Sequence, residues 1–323
     1  MLSLFKRKCA AILSMWMALT LQVNGVDCNE STNCEPKCCD TECGVTYKVD
    51  LLYWRPELCG LEAAFGDTTI ATTVDQNGII FTTVTESDKE PHSKWNTGVR
   101  AGIEMRYNYF EVELDWTRFN GCAKFHEGPQ FGHWKINYDA VDLTFGRTFN
   151  LLSCFDVKPF IGIRSVQIHQ HLKSHLETLF TSTLIGDNTV LTDKKDKEKF
   201  KGLGPQIGIN ADWYIGCNLS LYGSFAVASY YGDVKTKNTT TDTFTQTVSV
   251  CNGKKKHCFN TIATDMAIGV RWDSSSNFCG CETILTLKLG AEQHRIYDFS
   301  ELGADGTLSL DGGIFEAGIT FNY

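Results

Sequence analysis

Apolar and polar residues alternate one by one through much of this chain. In Gly98–Tyr107, Val99, Ala101, Ile103, Met105 and Tyr107 take one set of alternate positions; Arg100, Gly102, Glu104 and Arg106 take the other. Phe110–Phe119 sets Phe110, Val112, Leu114 and Trp116 against Glu111, Glu113, Asp115 and Thr117. Leu203–Trp213 sets Leu203, Ile207, Ile209 and Trp213 against Gly204, Gln206, Asn210 and Asp212. The chain ends the same way, with Phe315, Ala317, Ile319, Phe321 and Tyr323 opposite Glu316, Gly318, Thr320 and Asn322. A period of two predicts strands with one apolar and one polar face. Less regular stretches at Val45–Trp54, Lys135–Phe149, Asp156–Gln170, Asn218–Tyr231, Thr261–Trp272 and Glu282–Glu292 bring the predicted strands to ten.

The connections sort into two kinds. Asn108-Tyr109, Asn150–Phe155, Tyr214–Cys217 and Asp273–Cys281 are short. Arg55–Thr97, Asn120–Trp134, His171–Gly202, Gly232–Asn260 and His294–Gly313 are long and mostly polar. Short and long alternate, as in an antiparallel outer-membrane β-barrel with short periplasmic turns, long outer loops and both chain ends inside. The predicted fold is therefore all-β, a transmembrane antiparallel barrel over residues 45–323. In the first long connection, Thr68–Val74 and Ile79–Thr85 flank Asn77-Gly78, a hairpin signal. If that hairpin joins the wall the barrel has twelve strands; if it folds inward the count stays ten and the lumen narrows.

The N-terminus reads as a leader. Lys6, Arg7 and Lys8 precede an apolar run from Cys9 to Leu21, and Val23 and Gly25 fit a small-residue cleavage site. Residues 1–25 are thus expected to be a cleaved signal peptide, and residues 26–44 a cysteine-rich periplasmic segment. The apolar run is shorter than the roughly 20 residues of a spanning helix. No longer one follows, which leaves strands as the only means of crossing a membrane. A net charge of −8 argues against nucleic acid as a partner. Fourteen cysteines are many for an exported chain, where disulfides are the default. The candidates are Cys28, Cys34, Cys38, Cys39 and Cys43 in the N-terminal segment, then Cys154, Cys217, Cys279 and Cys281 in the short turns. Cys59, Cys122, Cys251 and Cys258 fall in the long outer connections, and Cys251 with Cys258 is a candidate local pair. The N-terminal cluster has neither paired C-x-x-C spacing nor a nearby histidine, so cross-linking is favoured over zinc.

Several blocks carry a resemblance. Asp50-Leu51-Leu52-Tyr53-Trp54 followed by Gly60-Leu61-Glu62-Ala63 resembles the opening of the Legionella-type major outer membrane protein family, a pore-forming family also found in chlamydia-like bacteria. The likeness continues in Trp95–Gly102, Asp115–Phe119, Val141–Arg147, Lys158–Arg164 and Gly202–Gly208. It implies a porin-like barrel in the bacterial outer membrane, in contact with lipid and lipopolysaccharide, passing small hydrophilic solutes and ions without a cofactor. The last strand also resembles the terminal insertion signal of such barrels, carried here by Glu316, Gly318, Ile319, Phe321 and Tyr323. The cysteine richness departs from a plain member. It resembles disulfide-linked envelopes, with neighbouring envelope proteins or a homo-oligomer as candidate partners.

A lipid-facing Arg or Lys costs about 2–4 kcal/mol at the midplane, so the charged faces are expected to point inward. That places Arg100, Glu104, Arg106, Glu111, Glu113, Asp115, Lys158, Arg164, Asp212, Arg271, Lys288 and Glu316 in the lumen as candidate pore-lining residues. The open alternatives are a conducting pore with charges of both signs and an interior plugged by salt bridges. Trp54, Trp95, Trp116, Trp134, Trp213 and Trp272 lie near predicted strand ends, as aromatic girdles do. His169, His171 and His175 read as solvated loop histidines rather than metal ligands, and the lysine-rich Asp193–Lys201 run as an exposed loop. No nucleophile elbow, zinc-protease or phosphate-loop motif is present. A non-enzymatic role follows, with His294 near Asp298 and Asp305 the one loose catalytic candidate. The rival to a porin is a disulfide-linked structural or surface-interaction protein.

Overall fold

The computed structural model describes residues 43–59, 71–74, 80–83, 92–127, 130–182, 186–244, 247–278, 281–302 and 306–322. The expected leader, nearly all of the cysteine-rich segment, Cys279, Asp305 and Tyr323 lie outside them. Ten long strands follow in order: β1 (Cys43–Leu58), β2 (Asn96–Tyr107), β3 (Phe110–Glu127), β4 (Gln130–Arg147), β5 (Phe155–Ser182), β6 (Gly186–Gly216), β7 (Leu219–Phe244), β8 (Thr247–Phe278), β9 (Cys281–Ile296) and β10 (Leu308–Asn322). Each pairs antiparallel with the next, and β10 returns to β1 with Gly44 opposite Asn322 and Leu58 opposite Leu308. The sheet therefore closes on itself and leaves no unpaired edge in the lipid-facing zone.

The alternation dictates which way each strand faces. Tyr47, Val49, Leu51 and Tyr53 of β1 point outward, as do Val141, Leu143 and Phe145 of β4 and Ile161 and Ile163 of β5. Phe315, Ala317, Ile319 and Phe321 of β10 share that outer side, with Glu316, Gly318, Thr320 and Asn322 turned inward. Such an apolar exterior suits lipid and would be a liability in water. Among the described residues no helix is long and apolar enough to cross a membrane.

Three expectations are corrected. The hairpin joins neither wall nor lumen: Ala71–Val74 pairs with Ile80–Thr83, and Ile80 lies opposite Thr181 at the outer tip of β5. The wall stays at ten strands. Most of the expected outer loops are strand. His171–Gly202 and Gly232–Asn260 continue β5 to β8, which run for 28, 31, 26 and 32 residues. At about 3.3 Å per residue each is roughly 85 Å or longer, far beyond an apolar band about 25 Å tall, so their outer parts stand clear of lipid. The Cys251–Cys258 pair is excluded as well. Both residues lie on β8, opposite Thr240 and Asp233, seven residues apart in extended chain. That is about 23 Å, whereas a disulfide needs Cα atoms within about 7 Å.

The barrel interior as the candidate functional site

The side chains opposite the lipid face fill the barrel in two layers. The periplasmic layer is charged. Arg100 of β2 donates to Asp50 of β1 and Glu292 of β9, each at 3.2 Å. Lys48 bridges Glu113 and Asp115, and Lys158 bridges Glu104 and Glu111 at 3.5 and 2.5 Å. Arg106 reaches the same two carboxylates at 3.4 and 3.3 Å. Arg164 pairs with Asp142 and Asp265, and His294 completes that group through Asp265 at 2.7 Å. Arg271 lies against Asp273 (2.8 Å) and Asp212 (3.8 Å), and Lys288 against Glu316 (2.9 Å). Each charged side chain expected in the lumen takes part in one of these ion pairs. The register brings them together: Asp50 lies opposite both Arg100 and Glu316, and Arg271 opposite Lys288. Gly102 faces the same layer. A Cβ there would collide with the Asp115 carboxylate and with Cε of Lys48, so the glycine makes room for that pair.

The outer layer is apolar. Leu52, Trp54, Phe119, Trp134, Ile136, Ile168, Leu172, Phe200, Val234 and Leu308 are fully buried there. Trp54 and Trp134 are therefore interior residues, not girdle residues. Their indole N–H groups donate to Glu292 and Gln170, both at 2.9 Å. Trp95, Trp116 and Trp213 do lie on the outside. The segment following β9 drops into the outer mouth. Phe299 and Leu302 are buried, and Glu198 accepts the backbone N–H of Glu301 at 2.8 Å. Gln170 joins Glu198 and Ser300, each at 3.2 Å. A recess of about 180 Å³ beside Glu111, Glu113 and Lys158 is too narrow to admit a water molecule.

Several interior residues escaped the sequence reading. Lys48, Asp50, Asp142, Asp265 and Glu292 occupy inner positions on predicted strands, and Asp273 continues β8 into an expected turn. Their signal was the same alternation. His294 is paired with Asp265 rather than Asp298, and its ring lies 4.8 Å from that of Trp54. Asp298 sits in the outer-mouth turn at positive φ. His169 and His171 belong to β5 rather than a loop, and His175 pairs with Asp193. Among the described residues no group of His, Cys, Asp and Glu could hold a metal ion.

The cysteines divide by end. Cys43, Cys154 and Cys217 lie at the periplasmic end. Cys59 ends the first outer excursion, Cys122 lies within β3, and the Cys258 thiol is 3.1 Å from Asp233. Of Cys251 and Cys281 only the backbone is described.

Solved structures similar to the chain are outer-membrane proteins. The outer membrane protease OmpT of Escherichia coli is 10% identical, covering 90% of this chain and 100% of its own, with a TM-score of 0.41. The toluene transporter TodX of P. putida is 9% identical over 88% of this chain and 90% of its own, at 0.32. A FadL homologue of Pseudomonas aeruginosa is 7% identical over 87% and 90%, at 0.30. At such values neither proteolysis nor transport carries over to this chain. No curated protein matches it. The family described as the Legionella pneumophila major outer membrane protein precursor matches residues 39–290. The closed barrel and that match agree: the chain belongs to the Legionella major outer membrane protein family and is a β-barrel of the bacterial outer membrane.

Proposed function

We propose that this barrel is a narrow porin, passing small hydrophilic solutes and ions passively, in a conformation whose outer half is shut. The observation that supports this reading is the polar periplasmic layer. Asp50 Oδ1 and Gln206 Oε1 are buried without a hydrogen-bond partner in the protein. Buried acceptors of this kind are ordinarily served by water. The charges lining the layer are of both signs, as in a filter for small ions. Trp54, Phe200, Phe299 and Leu302 are then the gate. No covalent chemistry or cofactor enters this reading. His294 is enclosed by Trp54, Asp265 and Glu292.

Planar-bilayer recording of the purified protein tests it. The wild type is expected to give small stepwise currents, and the double variant Phe299→Ala/Leu302→Ala larger ones. Absence of steps in both would leave the second reading, a structural envelope protein. That reading draws on the cysteines gathered at the periplasmic end, which would link neighbouring envelope proteins or copies of this chain. Non-reducing gels of whole envelopes address it directly. A monomer band unchanged by thiol would exclude intermolecular links.

A further inference from the structure

Above the lipid band the outward face of β5–β7 turns basic. On β6 the outward positions are Lys195, Lys197, Lys199 and Lys201, while Asp196, Glu198 and Phe200 between them are buried. The register sets Lys199 beside His169 of β5 and Lys235 of β7. It sets Lys197 beside His171 and Lys237, and Lys195 beside Lys173. Like charges directly opposite on neighbouring strands destabilise a sheet. Here they recur row after row in a chain whose net charge is −8. Among the described residues none of these lysines makes an ion pair. The field they create is felt nearby. Burial, together with the ammonium groups of Lys197, Lys173 and Lys135, holds the His171 imidazole below its ordinary pKa. An arrangement of this kind calls for anions from outside the protein.

Its height says which anions. Among the described residues Leu203 and Tyr231 are the last exposed apolar side chains facing outward on β6 and β7. The Lys199–Lys235 row stands four residues beyond them, about 10 Å further out at ~3.3 Å per residue and a tilt of ~40°. That is headgroup depth on the outer side, not open solvent and not the acyl region. We propose that this belt binds the phosphate-bearing headgroup of an outer-leaflet glycolipid. The β6 and β7 lysines hold the phosphate oxygens by charge-assisted hydrogen bonds. The paired outer leaflet thereby removes the repulsion between rows.

The test uses the full folded chain in neutral detergent, with bis-phosphorylated lipid A as the probe. The variant Lys197→Gln/Lys199→Gln/Lys235→Gln/Lys237→Gln is compared with the wild type after both show the faster gel migration of an unheated barrel. Juxtamembrane lysines contribute enough individually that the four together should weaken binding by at least about tenfold. Dephosphorylated lipid A should bind both proteins equally weakly. Should the quadruple variant fail to fold, salt titration of the wild type stands in: binding must fall steeply as salt rises. Equal binding by variant and wild type, undiminished binding of dephosphorylated lipid, or insensitivity to salt would each overturn the assignment. So would complete displacement by inorganic phosphate at the lipid's own concentration, which would make this a site for free anions.

Discussion

The two halves of the lumen are built on opposite principles. Toward the periplasm, carboxylates and cations from β1–β6 and β8–β10 interlock, and Lys48, Arg100, Arg106, Lys158, Arg164 and Arg271 each meet two carboxylates. Toward the outside, indole, phenyl and aliphatic side chains dominate, with charge confined to Asp196 and the Gln170–Glu198–Ser300 cluster. A charged core tolerates loss badly and replacement well, because what costs energy is a buried charge left without its partner. An apolar core loses in proportion to the volume removed. The same ten strands thus carry a specific, water-tolerant layer and a generic, water-excluding one, and the boundary between them runs through Arg100, Glu292, His294 and Trp54.

The largest disturbance removes both halves together. Deleting Phe321-Asn322-Tyr323 takes away the pairing of β10 with Gly44 and Val45, and with it the proposed insertion signal. Cell fractionation should then find the chain in the periplasm rather than the outer membrane; normal assembly would count against Phe321 and Tyr323 as that signal. Next comes Arg100→Met, which strands Asp50 and Glu292 in the interior. It should cost about 3–5 kcal/mol, read as a lower melting temperature of the heat-modifiable gel shift. Adding Asp50→Leu and Glu292→Leu should recover most of that loss, and failure to recover would show that the layer is not held by charge pairing. In the apolar half Leu308→Ala should cost about 2–5 kcal/mol by the same assay, with no partner change able to rescue it. The smallest effect is expected outside both halves. Arg118 and Asp139 form an ion pair on the exposed outer surface at 3.7 Å, and Arg118→Ala should shift stability by less than about 1 kcal/mol.

Much of this was legible in the chain. The ten long strands and the position of the periplasmic turns follow from one-by-one alternation and from loop length, whereas the choice between ten and twelve wall strands did not. Alternation fails where both faces carry the same kind of residue. At Leu51-Leu52-Tyr53-Trp54 both faces are apolar, because the outer half of the lumen is as apolar as the lipid. Trp54 therefore looked like a girdle residue. Beyond the membrane the reverse holds: both faces are polar, and hydropathy loses its period. The period survives in charge, since Lys195-Asp196-Lys197-Glu198-Lys199 alternates sign residue by residue. A reading of charge sign in place of hydropathy would have found a strand there, and with it the basic belt. The filling of the outer mouth by Phe299 and Leu302 left no comparable trace, because the connection between β9 and β10 has no period to detect.

The long reach of β8 carries a consequence of its own. Its register with β9 begins at Ala263, opposite Ile296, whereas its register with β7 continues to Thr247. Beyond Ile262, whose carbonyl accepts the Tyr297 N–H at 2.9 Å, no strand among the described residues pairs with β8 on its β9 side. A bare margin of that length invites a strand from a second molecule, in register or out of it. The sequence places Lys254-Lys255-Lys256 in that stretch of β8, charge that any incoming strand would have to match. Self-association along β8 is thus opposed by repulsion between copies, and a partner strand rich in acidic residues is the kind that could cross that barrier.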